Sequence, residues 1–416
     1  MSFPYVFPPH FSFPSVLPCS PFGGILGLRV GHGCMTRNER VIACCEHEPA
    51  DRVPVYHASI SSRSASIVLG REAYVGGAVQ RWREAVALWN GEDAHREFLE
   101  RTKRDTIDIA KALDVDMVRV TYWRLETKPT RRIDEHTFFY GDPDANWQVM
   151  RFDPETELYQ TVDASPKPEP TIEDVERQVE RAERSAANYR PTREHFPDII
   201  MGMEAFGGER AIPGTGVGIA ILRDPIWFEA MITRPDLVGR WLDAQAERAV
   251  RNIELQSGLG VHVMLGGGDM ASYHGPMYSP DMFRDLIVPR LKRVTDACRA
   301  RGMYHFFASD GNLWPIADDL FPHVDGFYEI DRRAGMDLRL LRERYPHLAL
   351  VGNISSHTLH LGTKDEVIAE TLSCMEAAKE LGSIIVGCSN LIMPQTPEEN
   401  LLAMVSTIAE CRMVDG

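Results

Sequence analysis

The stretch Met303–Leu320, MYHFFASDGNLWPIADDL, decides the fold that this sequence predicts. An apolar run, Met303–Ala308, stops abruptly at the polar turn Ser309–Asn312, and a helical pattern then follows from Trp314. The order is strand, turn, helix. Because the carboxyl ends of strands usually carry the binding chemistry of α/β folds, Asp310 in this turn is the first candidate site residue.

The same unit of an apolar run followed by a helical pattern recurs along the chain. The predicted strands are Val53–Ser59, Asp116–Tyr122, Ile199–Ala205, Val261–Gly267, Tyr304–Ser309, Gly326–Ile330, Leu348–Asn353 and Ser383–Cys388. Several are almost wholly apolar, as in parallel sheets that are covered by helices. Eight such units are the number in a TIM (β/α)8 barrel, so the predicted fold class is α/β with that barrel.

Three segments are predicted to lie outside the eight units. Residues 1–34 are rich in Pro, Phe, Gly and Ser and carry Arg29 as their only charged side chain, which predicts a disordered leader before one domain over 35–416. Thr36 and Glu39 form a capping-box pattern, which predicts an N-terminal helical extension. Strand patterns on both sides of the turn 141–144 predict a β-hairpin insertion after strand 2, within about 125–162.

Composition excludes several classes of protein. The chain has 45 Lys and Arg against 60 Asp and Glu, a formal net charge of −15, which is the wrong sign for a dedicated nucleic-acid binder. No window approaches the roughly 20 apolar residues of a membrane span. The eight cysteines form no CxxC pair, which favours a reducing compartment. We therefore predict a cytoplasmic protein without nucleic-acid or membrane partners.

In a barrel, the residues that close the strands build the site. Here nearly every predicted strand ends in a polar or titratable group: His57 and Ser59, Tyr122 with Trp123, Glu204, Asp269, Asp310, Glu329, Asn353, and Cys388 with Asn390. The four carboxylates among them suit general acid catalysis or the binding of a cation or metal. The alternative for each acid is a solvated turn residue or a helix cap.

Two neighbouring residues have ordinary structural alternatives. By strand alternation His305 faces away from Asp310, so we interpret it as a core histidine. Cys388 is either a thiolate ligand for a soft metal or a buried free cysteine.

Several motifs, in order, resemble the uroporphyrinogen decarboxylase superfamily, which includes cobalamin-dependent methyltransferases. They are Met35–Val41 with Asp51–Val55, Gly275–Arg284, Ser309–Asn312, Gly326, Gly335–Asp337, Gly352–Ile354 and Thr396–Asn400. The resemblance runs from about Met35 to the C-terminus, is densest after Val261, and implies a TIM barrel.

The resemblance also bears on the reaction. Where the haem-pathway decarboxylase carries an Arg-rich motif that grips porphyrin carboxylates, this chain reads Ile60–Ala65, ISSRSA. Where the thiol-methylating branch binds zinc through His-x-Cys and a later Cys, this chain has Ala308, Asp310 and Asn390. Zinc would therefore need other ligands, and the candidate metal ligands are Asp310 and Cys388.

What remains is a corrinoid-dependent methyltransferase or demethylase that acts on a small methoxy or methylamine-like substrate. Its methyl acceptor would be a corrinoid, free or on a partner protein. The candidate catalytic residues are Asp310, Asp269, Glu204 and His57; the candidate substrate-binding residues are Tyr122, Trp123, Phe206, Tyr273, Glu329 and Asn353, although ordinary packing also explains the aromatic ones. The alternatives are a decarboxylase or lyase for a non-porphyrin acid, and a non-catalytic barrel that binds a corrinoid or tetrapyrrole. The oligomeric state, including a homodimer, is left open.

Overall fold

Helices and strands alternate along most of the chain in this computed structural model, which describes residues 35–120 and 124–414. The predicted leader 1–34 and the candidates Tyr122 and Trp123 lie outside the described residues. The helices are α1 (Arg37–Glu46), α2 (Ser62–Leu69), α3 (Ala78–Asn90), α4 (Glu92–Ala112), α5 (Ile172–Asn188), α6 (Pro197–Phe206), α7 (Pro225–Thr233), α8 (Pro235–Ser257), α9 (Pro280–Met282), α10 (Val288–Arg299), α11 (Ala317–Leu320), α12 (Leu338–Arg344), α13 (Ser356–Leu361), α14 (Lys364–Leu381) and α15 (Glu398–Cys411). The strands are β1 (Ser59–Ile60), β2 (Arg131–Arg132), β3 (Thr137–Gly141), β4 (Trp147–Asp153), β5 (Leu158–Ala164), β6 (Val263–Gly267), β7 (Ala271–Ser272), β8 (Gly275–Pro276), β9 (Tyr304–Ala308), β10 (Gly326–Tyr328), β11 (Ala349–Val351), β12 (Ile384–Ile385) and β13 (Leu391–Ile392).

Five parallel strands form the central sheet, in the order β12, β11, β10, β9, β6. Single parallel bridges continue the pairing beyond both edges; they join Val55 to Val386, Met117 to Ala211, and Gly214 to Met264. The amide of Asp116 also donates to the carbonyl of Val55 at 2.8 Å. Helices separate these segments along the chain, and the order of pairing is consistent with a TIM barrel.

Side chains on alternate strand positions fall into two apolar clusters, as the period of two requires. Phe306 and Ala308 belong to an inner cluster, whereas Phe307 between them belongs to the larger layer that packs against the helices. Helix α1 contributes Val41 and two cysteines to the inner cluster, so it covers the amino ends of the strands. The opposite, carboxyl ends are left for a site.

The predicted third strand, Ile199–Ala205, is wrong: these residues lie in α6. Pro197 occupies the first turn of that helix and Gly207 ends it in the left-handed conformation, so start and stop signals overrode the apolar composition. The third segment of the sheet is instead the extended run that begins at Ala211, which pairs with Met117 and Met264 on its two sides.

The predicted β-hairpin is confirmed, since β3 pairs antiparallel with β4. It is part of a larger insertion, a four-stranded sheet in the order β2, β3, β4, β5. One face of this sheet packs on α3, where the rings of Trp82 and Phe152 stack at 4.3 Å. The buried Glu84 of α3 accepts hydrogen bonds from Arg124 and from the amide of Leu125, which fastens the start of the insertion.

A buried ion network ties the two ends of the described chain together. The capping box of Thr36 and Glu39 starts α1 as predicted, and Arg40 of this helix contacts both Asp51 and Asp116. Arg412, directly after α15, also pairs with the fully buried Asp116. No helix among the described residues is long and apolar enough to cross a bilayer.

Candidate active site

Asp310 follows β9 on the side of the inner cluster. It has the same parity as Phe306 and Ala308, and its Oδ2 accepts a hydrogen bond from Nδ2 of Asn390 at 2.7 Å. The next residue, Gly311, has φ +90°, and a Cβ there would lie 2.5 Å from the carbonyl oxygen of Ser272. Only glycine fits this turn, which therefore sets the position of Asp310.

The side chain of Glu329 lies near Asp310 because its backbone departs from the alternation of side chains along β10. Tyr328 belongs to the inner cluster, so an ordinary strand would turn Glu329 toward the helices. Glu329 instead has φ +61°, a left-handed conformation that non-glycine residues rarely adopt. Its carboxylate and that of Asp310 have oxygens within 4.8 Å of each other. Backbone strain at such a position is typical of functional sites.

Asp269 completes a group of three carboxylates. It follows the glycines at the end of β6, and its carboxylate also lies within 4.8 Å of both others. Arg223 forms an ion pair with Asp269 at 2.6 Å, and both side chains are about half exposed. We call Asp269, Asp310 and Glu329 the acid cluster, which is partly buried at Asp310 and Glu329 and open at Asp269.

The environment makes the two deeper acids unequal. The pKa of Glu329 is raised to about 7: burial is the largest cause, the charge of Asp310 adds to it, and the charge of Arg119 opposes both. Burial also raises the pKa of Asp310, whereas the hydrogen bond from Asn390 lowers it. The pKa of Asp310 is raised overall, but less than that of Glu329, so near neutral pH the proton of this pair is held on Glu329.

Such a pair can donate or accept a proton in a reaction near pH 7. Three carboxylates are also a donor set that suits hard cations such as Mg²⁺ or Mn²⁺ better than zinc, which prefers thiolate and imidazole ligands. Cys388 does not belong to the acid cluster, and burial raises the pKa of its thiol to about 12. The predicted pairing of Asp310 with Cys388 around a metal is therefore wrong, because Cys388 faces the helix layer.

Comparisons with known proteins agree with this architecture. Residues 225–411 match the family model described as uroporphyrinogen decarboxylase (URO-D). A uroporphyrinogen decarboxylase from Anaeromyxobacter sp. (strain Fw109-5) is 26% identical over 201 residues, 48% of this chain and 54% of that protein. A methyltransferase from Methanosarcina mazei superposes with a TM-score of 0.59 over 90% of this chain and 99% of that one, at 20% identity.

The chain is similar to the uroporphyrinogen decarboxylase family over residues 225–411, somewhat less than half of its length. The aligned region spans only about half, 54%, of the length of the curated relative. The structural similarity at 20% identity supports the shared fold only. The reaction has to be inferred from the site.

Two of the predicted catalytic residues do not belong to the acid cluster. Glu204 is exposed on α6, because the predicted third strand is a helix. His57 is half-buried, its Nδ1 accepts a hydrogen bond from the amide of Cys388 at 3.1 Å, and burial lowers its pKa to about 4. The imidazole is therefore neutral at pH 7, and it lines a cavity of about 80 Å³ beside α4 that Arg119 also lines.

The predicted binding residues are also distributed differently. Phe206 is buried in the outer core under the guanidinium of Arg210, so its assignment to the site is wrong. Asn353 is fully buried, and its amide donates to the carbonyl of Met336 rather than facing the acid cluster. Tyr273 is 60% exposed, so it does not line an enclosed pocket. His305 is confirmed as a core histidine that contacts Thr295 at 2.8 Å.

Sequence reasoning missed two arginines of the site. Arg223 follows the third segment of the sheet. Because the sequence analysis assigned that segment to Ile199–Ala205, the position of Arg223 at a strand end was not recognised. The alternating apolar positions Val217, Ile219 and Ile221 before it were the available signal. Arg119 lies just after the bridge residue Met117 and is close enough to lower the pKa of Glu329.

Proposed function

We propose that this protein transfers a methyl group from a small methylated substrate to a corrinoid, with Glu329 as the proton donor to the leaving group. The observation that supports this most is the unequal acid pair: the carboxylates of Glu329 and Asp310 lie within 4.8 Å, and the pKa of Glu329 is about 7. The structural similarity to a methyltransferase is consistent with the proposal.

The chemistry follows from the poor leaving group of a methyl ether. The bond between oxygen and methyl breaks, the methyl group passes to the acceptor, and the proton of Glu329 goes to the oxygen. A reduced corrinoid bound beside the acid cluster would supply the electron pair for the new bond to carbon. Asp310, held by Asn390, would bind the donor and stabilise the protonated form of Glu329. A protonated methylamine needs no added proton, and the carboxylates would bind its positive charge.

The charge of the site favours this reaction over decarboxylation. The acid cluster has Asp331 as a further negative neighbour, and Arg223 is already paired with Asp269. An organic acid would bring another carboxylate into this field and be repelled, whereas a neutral ether or a cation would not.

In this proposal the corrinoid approaches from the open side of the site. Asp269 and Arg223 are 45% and 49% exposed, so a large flat macrocycle can approach the acid cluster there without displacing core residues.

The experiment uses the full chain, an aryl methyl ether or a methylated amine, and chemically reduced cobalamin, with the demethylated product measured by chromatography. We expect Glu329→Gln to lower kcat for the ether by roughly a hundredfold or more, since general acids contribute about 10²–10⁴. Asp310→Ala should also lose methyl transfer while the fold is retained. The KM for the donor should change little in Glu329→Gln.

The matched control is Glu204→Gln, which changes the same chemical group on the exposed face of α6. Full activity of Glu329→Gln would contradict the assignment of Glu329 as the proton donor. Release of CO2 from an organic acid in the absence of any corrinoid would support the decarboxylase alternative instead.

A further inference from the structure

The cavity beside α4 has a mostly apolar wall. Its volume is about 80 Å³, and α4 contributes Thr106, Ile109 and Ala110 to it. His57 and Arg119 line it from two segments of the sheet. Voids larger than a water molecule are few in protein interiors, so this one is either a packing fault or a binding site. Its neighbours favour a binding site.

The wall of the cavity is connected to both acids of the proposed catalytic pair. Arg119 lines the cavity, and its charge acts on Glu329, whose pKa it lowers. On another wall, Ser59 belongs to β1, which pairs with β13. Asn390, directly before β13, donates its hydrogen bond to Asp310 at 2.7 Å. The cavity therefore adjoins groups that act on Glu329 and on Asp310.

The volume of the cavity sets the size of the group that fits. A cavity of roughly 150 Å³ holds a benzene molecule, so one of about 80 Å³ holds roughly three or four non-hydrogen atoms. A propyl group fits this space, whereas a phenyl ring does not. The neutral imidazole of His57 and the apolar side chains of α4 suit an uncharged group.

Resting on the proposed methyl transfer, we infer that this cavity binds the alkyl group of the methyl donor, which is a methyl ether of a small aliphatic alcohol rather than an aryl methyl ether. The methoxy group extends past Arg119 toward the acid cluster. An alkoxide is a stronger base than a phenolate and leaves less readily. An aliphatic ether therefore depends more on a proton from Glu329 than an aryl ether does.

Binding of 1-methoxypropane and of methoxybenzene to the full chain, measured by NMR titration without any corrinoid, tests this inference. We expect Ala110→Leu to bind 1-methoxypropane roughly fiftyfold more weakly than the wild type, because leucine places three further carbon atoms in the cavity. Methoxybenzene should bind the wild type more weakly than 1-methoxypropane, although it is the larger apolar molecule. In assays with reduced cobalamin, Ala110→Leu should raise the KM for 1-methoxypropane.

The matched control is Ala112→Leu, the same substitution at a half-buried residue of α4 that does not line the cavity. It should keep the wild-type affinity. The thermal midpoint reports whether each variant folds. If Ala110→Leu does not fold, Ala110→Val adds two carbon atoms and should weaken binding by a smaller factor.

Three results would overturn the inference: unchanged affinity for 1-methoxypropane in the folded Ala110 variants, no binding of 1-methoxypropane by the wild type, or tighter binding of methoxybenzene. Failure of the proposed function looks different. In that case the wild type would bind 1-methoxypropane, Ala110→Leu would bind it weakly, and neither would transfer a methyl group to cobalamin.

Discussion

Glu329 and Asp310 illustrate how two identical functional groups are made different at the scale of single residues. Asn390 donates a hydrogen bond to Asp310 and stabilises its charge. Burial and that charge together keep a proton on Glu329. The left-handed backbone of Glu329 is the strain that brings the two acids together.

The pH dependence of the unfolding free energy should show whether Glu329 holds this proton. The pKa of Glu329 is about 7 in the folded protein against 4.5 for the free group, so the folded state binds the proton more tightly. The stabilisation from this proton is fully present below pH 4.5 and is lost as the pH rises through about 7. Glutamine at this position does not titrate.

We therefore expect Glu329→Gln to gain about 2 kcal/mol in unfolding free energy relative to the wild type when the pH is raised from about 5.5 to about 8. Urea unfolding at the two pH values measures the difference. Glu204→Gln, on an exposed helix face, should show no such pH-dependent gain. An equal difference at both pH values would mean that Glu329 does not hold a proton at neutral pH.

At the scale of elements, the turn after β9 positions the site through backbone contact. Gly311 has φ +90°, and the Ser272 carbonyl lies where its Cβ would be. The turn and the β7–β8 hairpin are therefore one packed unit, which couples the position of Asp310 to that of the hairpin.

Gly311→Ala should lower the thermal midpoint and reduce methyl transfer, because both the left-handed φ and the clash at 2.5 Å have to be relieved by moving the turn. Gly335→Ala is the matched control: Gly335 has φ +82° but no atom within 4 Å of the added Cβ. Gly335→Ala should lose only the stability that corresponds to the backbone strain, about 1 kcal/mol. Equal effects of the two substitutions on midpoint and activity would argue against the packed unit.

At the scale of the whole molecule, the two ends of the described chain meet at a buried ion network. Asp116 is fully buried between Arg40 of α1 and Arg412 after α15. Removing one partner of such a network leaves a buried charge with too few counter-charges.

Arg40→Met should therefore destabilise the protein by about 3 kcal/mol, measured as a shift in the urea unfolding curve, and leave the KM for the methyl donor unchanged. Arg177→Met removes an exposed i,i+3 ion pair with Asp174 and should have little effect. A raised donor KM in a folded Arg40→Met protein would show that the two ends of the strands are coupled.

The third segment of the sheet shows where sequence reasoning failed. Ile199–Ala205 is as apolar as a buried strand, and periodicity cannot distinguish a short buried strand from a buried helix. Pro197 at the helix start and Gly207 after its end were the deciding signals. The error placed Glu204 in the site and hid Arg223.

The sequence by itself determined the strand, turn and helix units around β6, β9 and β10, the β3–β4 hairpin and the acids Asp269, Asp310 and Glu329, because local periodicity and turn chemistry govern them. Only the tertiary structure decided which side chains meet. Asn390 reaches Asp310 across 80 residues of chain, and Arg223 reaches Asp269 from a neighbouring segment. Those contacts depend on strand order and register, which local sequence does not encode.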